Sequence, residues 1–472
     1  MRRWLYGLFI FSVVLRVATS GLELFWYDEA FTAFVVKLPF LQMLAAIRGD
    51  VHPPLFYSIE WLTANLIGRS EFALRLPGAL FSSAAVVEMY LLVKRFAGEN
   101  PARLAGFLMA VLPAEIYYGQ EARMYSLLTL LVLLGARAVV DRNWLRLALS
   151  CALIPYTQNL GFIYVGILAG WGLWRSKGAA FKYLAIAGSS YLAWLPTLLQ
   201  QAGNMTGGFW IPARDLSGTL YYLAYTTTFE RAPEWLGLHL IILDLVVTAV
   251  AVIALLKSES LRQVLPLLAL AFAPPLILFL ASVLWHPVLL ERALMPSGAM
   301  LAAAWAIGLL KLPGWSRNLM AVMTVPLLTA SIVTYYADSA GQRSTQDPVV
   351  PLIEQRWQPG DALYHLNLSS TVTYDYYLPG KPGFSLPEGG DLGQSLTDPT
   401  KIAMGLKDHE KFPDQLRQLG YKRIWVMIMD SPVSSDFEMA YAARLLSTYP
   451  VIQRWTIFST EYVSFTLALV RL

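Results

Sequence analysis

The tightest constraint on this chain is a series of apolar runs about as long as a bilayer is thick. A helix crosses the hydrocarbon with roughly 20 apolar residues, and about 17 suffice. Such runs fall at 4–22, 72–93, 102–119, 124–140, 180–199, 235–256, 262–284, 293–310 and 318–336, with a shorter pair at 145–158 and 160–174. Together they predict a polytopic α-helical membrane protein of about 11 transmembrane helices. Composition agrees. Only 14% of the 472 residues are charged, 56% are hydrophobic, and the mean hydropathy is +0.49, whereas soluble domains carry about 25% charged residues. The opening "MRRWLYGLFIFSVVLRVATSG" reads as an uncleaved signal anchor, the first span of many.

Orientation follows from the placement of Lys and Arg rather than from their total. Arg2 and Arg3 put the N-terminus in the cytoplasm. Alternating from there, the inner connections hold Lys94, Arg95 and Arg103; Arg137, Arg142 and Arg146; Arg175, Lys177 and Lys182; Lys257 and Arg262; and Lys311 and Arg317. An odd span count leaves the C-terminal region outside a plasma (inner) membrane. The net charge of +4 forms no basic stripe that would suit nucleic acid, and five scattered His make no His-rich metal site. Cys151 is the only cysteine, which excludes a disulfide framework and a cysteine zinc site.

Two stretches do not span. In the first outer loop, "EAFTAFVVKLPFLQMLAAI" and "PPLFYSIEWLTANLIG" read as interfacial amphipathic helices, with Pro53 and Pro54 suited to the first turn of the second. Near residue 337 the composition turns to Gly, Ser, Asp and Pro, so the chain divides into a transmembrane domain, 1–336, and an extracytoplasmic α/β domain, 337–472. Helices are expected in the latter at "DPVVPLIEQRW", "HEKFPDQLRQLG" and "DFEMAYAARLLS", and strands at "DALYHL", "RIWVMIMD", "QRWTIFS" and "VSFTLALVRL".

Polar groups that interrupt apolar sequence collect on the outer side: Asp28 and Glu29 in "FWYDEAF", His52, Gln120, Glu121, Arg123 and Tyr125, Arg214 and Asp215, and Glu291 and Arg292. A carboxylate in such aromatic surroundings is costly unless paired or solvated. Asp28 is therefore either the N-cap of the following helix or a group that does chemistry at the membrane surface. Adjacent carboxylates diverge around a helix, so only one of the pair serves as a base. A base beside several cations suits the attack of an acceptor hydroxyl on a sugar whose leaving group is a phosphate. Each residue also has a plainer reading: His52 as a turn residue, Glu121 and Arg123 as paired charges at a helix end, Arg292 as a snorkelling side chain. Glu71 and Arg75 read as a structural pair. Glu88 and Asp244 lie within spans, and neither joins the outer set.

"YDEAFTAF", "GDVHPPLFYSIEWL", "SEFALRLPGAL" and "YGQEARMYSLLTLL", in this order and spacing, resemble the bacterial branch of the GT-C glycosyltransferases. These are the proteins similar to dolichyl-phosphate-mannose protein mannosyltransferases, a group that includes the aminoarabinose transferases acting on lipid A. The resemblance covers residues 1–130 and continues through "FWIPARD" and "LLERALMP". It implies a GT-C fold and an inverting transferase that takes sugar from a polyprenyl-phosphate donor on the extracytoplasmic face. It implies Asp28, with Glu29 beside it, as base or acceptor-orienting group. Arg123 and Arg292, supported by His52, take the donor phosphate, and Gln120, Glu121 and Tyr125 line the substrate. The aminoarabinose transferases have a lysine where "HPPL" has histidine, a departure that weakens the case for aminoarabinose and lipid A specifically. The eukaryotic mannosyltransferases carry a sugar-binding domain inserted in a loop, which this sequence does not show, so protein mannosylation is not implied.

The expected partners are a polyprenyl-phosphate-linked sugar, membrane lipid, and a glycolipid, glycan or protein acceptor. No metal or other cofactor is expected to be required, although Asp28, Glu29 and Glu121 are of the type that holds a divalent ion. Two alternatives stand beside the transferase: a transporter or flippase for a lipid-linked oligosaccharide, and an inactive glycan-binding membrane scaffold.

Overall fold

The computed structural model describes residues 2–206, 211, 215–220, 223, 234–258, 261–338, 348–366, 368–387, 397–430, 436–459 and 464–472. Arg214, one of the expected outer-face residues, lies outside them. The chain opens with α1 (Arg2–Val17), followed by α2 (Tyr27–Val35), α3 (Phe40–Gly49) and α4 (Pro54–Leu66). Pro39 divides the first interfacial segment into α2 and α3, occupying the cap position of the latter. Next comes α5 (Glu71–Ala97), capped by Ser70, whose Oγ accepts from the Ala73 N–H. The following run is broken into α6 (Glu99–Val111) and α7 (Pro113–Gly119). Pro113 has no N–H to donate and holds Leu112 extended, so it starts a helix rather than continuing one.

Then follow α8 (Tyr125–Val140), α9 (Trp144–Thr157), α10 (Phe162–Ser176), α11 (Phe181–Ser190), α12 (Leu195–Thr206), α13 (Glu234–Ser258), α14 (Leu261–Leu284), α15 (Met295–Leu309) and α16 (Gly314–Asp338). Among the described residues, five helical stretches are long and apolar enough to cross a membrane: Glu71–Ala97, Gly237–Lys257, Val264–Leu284, Glu291–Leu309 and Gly314–Ala337. The other expected spans form shorter helices, such as α1 and α8 with 16 residues each.

By compactness the chain divides into two units. The first comprises 1–21, 52–198 and 213–339; the second comprises 22–51, 199–212 and 340–472. In the first unit α5 packs on α1, α6 and α8, and α15 packs on α6, α8, α13 and α14. Small residues permit this. A side chain on Gly308 of α15 would collide with the Ala251 carbonyl of α13, so the two backbones meet directly there. Trp305 Nε1 donates to Thr248 Oγ1 at 2.9 Å across the same contact. Ser297 Oγ donates to the Leu270 carbonyl at 2.9 Å and lies 2.9 Å from the Tyr164 hydroxyl, tying α15 to α14 and α10.

One buried charge ties together helices of this unit. Arg16 of α1 is fully buried, and its Nε donates to Ser82 Oγ at 2.6 Å. Nη1 donates to the Ser12 and Ala110 carbonyls, and Nη2 to that of Met109. The guanidinium thus satisfies backbone carbonyls where α6 ends.

The second unit contains α17 (Val349–Arg356), β1 (Asp361–His365), α18 (Leu368–Tyr377), β2 (Gly383–Ser385), α19 (Asp398–Met404), α20 (Pro413–Gln418), β3 (Arg423–Asp430), α21 (Asp436–Thr448), β4 (Val451–Ser459) and β5 (Ser464–Arg471). The strands form one sheet in the order β2-β1-β3-β5-β4. Strand β1 runs parallel to β2 and β3, while β5 is antiparallel to β3 and β4. Side chains alternate across the pleat. Leu363, Trp425, Met427 and Leu467 face α17 and α18; Tyr364, Ile424, Val426 and Ala468 face α20 and α21. Leu24, from the start of the chain, packs on the first of these faces.

Candidate active site

The expected residues divide between the units. Asp28 and Glu29 belong to the second; His52, Gln120, Glu121, Arg123, Tyr125, Glu291 and Arg292 belong to the first.

In the first unit, α7 ends at Gly119 and α8 starts at Tyr125, leaving "QEARM" as a buried turn. The turn lies directly against α5. A Cβ on Gly78 would come 2.5 Å from the Glu121 carbonyl, and one on Gly119 would stand 3.0 Å from Arg16 Cδ and Ser82 Oγ. Gly78 therefore serves close backbone approach, and Gly119 makes room for the Arg16 and Ser82 side chains. From this turn the Arg123 guanidinium, 3% exposed, donates from Nη1 to the Tyr57 hydroxyl at 3.0 Å. Its Nη2 stands 3.5 Å from His52 Nε2.

His52 and Tyr57 are placed by "HPPLFY". Pro54 starts α4, its missing N–H costing nothing at a helix start. Tyr57 follows within the first turn, its ring 5.3 Å from that of His52. Arg292 arrives from elsewhere in the sequence, on a 3-10 turn, Glu291–Leu294, that leads into α15. Its guanidinium sits 5.8 Å from the centre of the Tyr125 ring. Burial first, then the positive charges of Arg123 and Arg292, hold the His52 imidazole well below its ordinary pKa. The same causes favour the neutral form of the imidazole over the imidazolium.

The neighbouring residues are used differently. Gln120 is fully buried, with Nε2 donating to the Leu15 carbonyl at 3.0 Å and to Thr19 Oγ1 at 3.1 Å. Its Oε1 accepts from the Tyr335 hydroxyl at 2.6 Å. These bonds tie the turn to α1 and α16. Glu121 is 1% exposed. Arg75, also fully buried, donates to the Ser20 carbonyl at 2.7 Å. Tyr57 is the residue that sequence reasoning passes over; its one signal is its position in the first turn after "HPP".

In the second unit, Asp28 and Glu29 lie in the first turn of α2. The cap position is Trp26, with no side-chain capping bond, so Asp28 does not act as the N-cap. As first-turn carboxylates, both are favoured by the helix dipole. Glu29 is buried, at 1% exposure, and Asp28 is half-buried. Among the described residues no group of three His, Cys, Asp or Glu is arranged to hold a metal ion.

Parts of this chain are similar to known proteins. The family model described as dolichyl-phosphate-mannose-protein mannosyltransferase matches residues 51–210, the stretch that carries His52, Tyr57, Arg123 and Tyr125. The Bacillus subtilis (strain 168) protein named "Putative mannosyltransferase YkcB" is 34% identical over 83 residues, which is 18% of this chain and 12% of that protein. Among solved structures, apo ArnT from Cupriavidus metallidurans overlays with a TM-score of 0.58 at 12% identity, covering 99% of this chain and 98% of that one. The structure of the same ArnT bound to undecaprenyl phosphate gives a TM-score of 0.57 at 13% identity, covering 98% of each chain. From end to end, then, this chain has the GT-C fold of ArnT.

Proposed function

We propose that this protein is an inverting glycosyltransferase that moves a sugar from a polyprenyl-phosphate donor to a hydroxyl acceptor at the extracytoplasmic membrane face. The observation that carries the reading is the convergence of Arg123, His52 and Tyr57, with Arg292 beside Tyr125, in the first unit. The undecaprenyl phosphate held by ArnT, a protein of the same fold, supports a lipid phosphate as the group recognised.

In the proposed reaction the acceptor oxygen attacks the anomeric carbon from the face opposite the phosphate. A C–O bond forms to the acceptor while the bond from the anomeric carbon to the phosphate oxygen breaks, its electron pair leaving with the phosphate. The acceptor proton passes to a carboxylate of the α2 pair, with Asp28 as base and Glu29 beside it. Arg123 and Arg292 stabilise the charge gained by the leaving polyprenyl phosphate. At an effective dielectric constant of about 20, a cation 4 Å from a unit negative charge contributes about 4 kcal/mol. Two such groups let the scheme run without a divalent ion. Gln120 and Glu121 shape the turn that presents Arg123, and Tyr125 supports Arg292. The sugar is a hexose or a pentose, and the acceptor a glycolipid, an envelope glycan or a protein. In this reading the membrane domain crosses the inner membrane about 11 times, with its N-terminus cytoplasmic and the C-terminal α/β domain outside.

Binding of undecaprenyl phosphate to the purified full chain tests the reading. Arg123→Ala and Arg292→Ala are each expected to weaken binding at least about tenfold, roughly 1.4 kcal/mol. Asp28→Asn is expected to bind normally yet fail to restore the missing glycan in a strain lacking the gene, read by mass spectrometry of its glycolipids and glycoproteins. Unchanged lipid affinity in both arginine variants would remove the basis of the proposal.

A further inference from the structure

The acidic pair is built into the second unit through one helix. Phe25, just before α2, is fully buried, and its backbone N–H donates to the Tyr377 hydroxyl at 2.5 Å. Its ring meets those of Tyr376 and Tyr377, with centres 5.7 and 6.3 Å apart. Just after α2, the Lys37 ammonium sits 3.7 Å from the centre of the Tyr376 ring. Two consecutive tyrosines at the end of α18 thus grip α2 on both sides of Asp28 and Glu29.

The other end of this connection is the sheet. Tyr374 and Leu378 of the α18 region lie in the core formed with Leu363 and Trp425. The Tyr374 ring stacks on His365 at the end of β1, centres 6.1 Å apart and planes 15° apart. His365 Nδ1 lies 3.2 Å from Ser370 Oγ, and its Nε2 lies 3.9 Å from Asp375 Oδ1. A Cβ on Gly383 would come 2.5 Å from Asp375 Oδ1, so the glycine on β2 makes room for that carboxyl. Helix α3, which follows α2, is fastened as well. Thr397 Oγ1 donates to the Gly49 carbonyl at 2.7 Å, and Thr400 Oγ1 donates to that of Ala46 at 2.9 Å.

We infer that the C-terminal sheet domain is a positioning device for the reaction, and that Tyr376 and Tyr377 are positioning residues that set the orientation of Asp28 and Glu29. The inference rests on the proposed transferase reading and supplies a role for the C-terminal domain within it. Neither tyrosine touches the reacting atoms. They act through Phe25 and Lys37, fixing the two ends of a nine-residue helix whose first turn carries the base.

The test uses the full chain with Tyr377→Phe, which keeps the ring and removes only the hydroxyl, and Lys37→Met, which removes the cation over Tyr376 without opening the core. Tyr364→Phe is the control, since its hydroxyl lies 3.3 Å from that of Tyr441 on the opposite face of the sheet. In Tyr377→Phe, hydrogen exchange in a peptide covering residues 22–30 should quicken at least tenfold, while exchange in β1 and β3 stays as in the parent. Undecaprenyl phosphate affinity should be unchanged in all three variants. Glycan restored in the strain lacking the gene should fall about tenfold for Tyr377→Phe and Lys37→Met, and not for Tyr364→Phe. Unaltered exchange at 22–30, or a loss of lipid affinity that matches the loss of glycan, would overturn the inference. If Asp28→Asn restores glycan normally, the assignment of the base falls, and the exchange result still decides whether α18 holds α2.

Discussion

His365 and Asp375 illustrate how two buried groups offset each other. Burial pushes the His365 imidazole down to about 3, and burial pushes the Asp375 carboxyl up to about 7 against the pull of Lys37. Between about 3 and the ordinary 6.5 of histidine, the unfolded chain holds a proton at His365 that the folded chain lacks. This contribution therefore destabilises the fold as pH falls. Between the ordinary carboxylate value and about 7, the folded chain holds a proton at Asp375 that the unfolded chain lacks, so that contribution weakens as pH rises. In the overlap the slopes oppose, each at about 1.4 kcal/mol per pH unit. Asp375→Asn removes one of them. The variant is expected to gain stability relative to the parent as pH rises from about 4 to 6.5, as followed by tryptophan fluorescence during thermal unfolding. A variant whose profile parallels the parent's would mean that Asp375 is ionised in the fold. The residue scale also shows what a sequence reveals. Arg123, Arg292 and His52 stand out because charge contrasts with apolar surroundings. Tyr57 does not, because one tyrosine among 24 carries no contrast, and only the fold shows that its hydroxyl meets Arg123.

Among the elements, legibility follows the kind of force that makes each one. The strand segments read from sequence coincide with β1, β3, β4 and β5, since alternation across a two-faced sheet is written in the side chains. Helix α18 is not legible. Its sequence "LSSTVTYDYY" is rich in β-branched and aromatic residues, which favour strand, and it is helical because Val372, Tyr374 and Leu378 fill the core. Segment 29–47 reads as an interfacial amphipathic helix; Pro39 and the contacts of α2 with α18 and of α3 with α19 make it two short helices of the second unit. Close approach of elements gives a further prediction. Gly78 of α5 lies under the Glu121 carbonyl with no room for a methyl group. Gly78→Ala is expected to cost about 1–3 kcal/mol through overpacking and to weaken undecaprenyl phosphate binding by displacing Arg123. Gly166→Ala in α10, where a Cβ meets nothing within 4 Å, should leave both unchanged. Thermal stability and lipid binding measured on the two variants separate a local collision from a general intolerance of added volume in the membrane helices.

At the scale of the whole molecule, α5 states the orientation problem most compactly. Its 27 residues rise about 40 Å, more than the roughly 30 Å of hydrocarbon, so the helix is long enough for its ends to emerge on opposite sides. The end near Ser70 adjoins the turn that carries Arg123, and the other end enters an ionic network. There Glu88 pairs with Arg137, Lys94 with Glu99 at 2.7 Å, and Arg95 with Asp141 at 3.3 Å. The acidic partners neutralise much of that charge, but orientation depends on Lys and Arg and hardly on Asp and Glu. The basic end is therefore expected in the cytoplasm despite its pairing. Cys151 is buried, which leaves the chain suited to single added cysteines at exposed positions. In cells treated with a membrane-impermeant maleimide, Arg69→Cys before α5 and Ser447→Cys in the sheet domain should label from outside, and Asn100→Cys should label only after lysis. Labelling of Asn100→Cys in intact cells, with protection of the other two, would invert the molecule. The reaction would then face the cytoplasm, and a sugar nucleotide would become the more accessible donor.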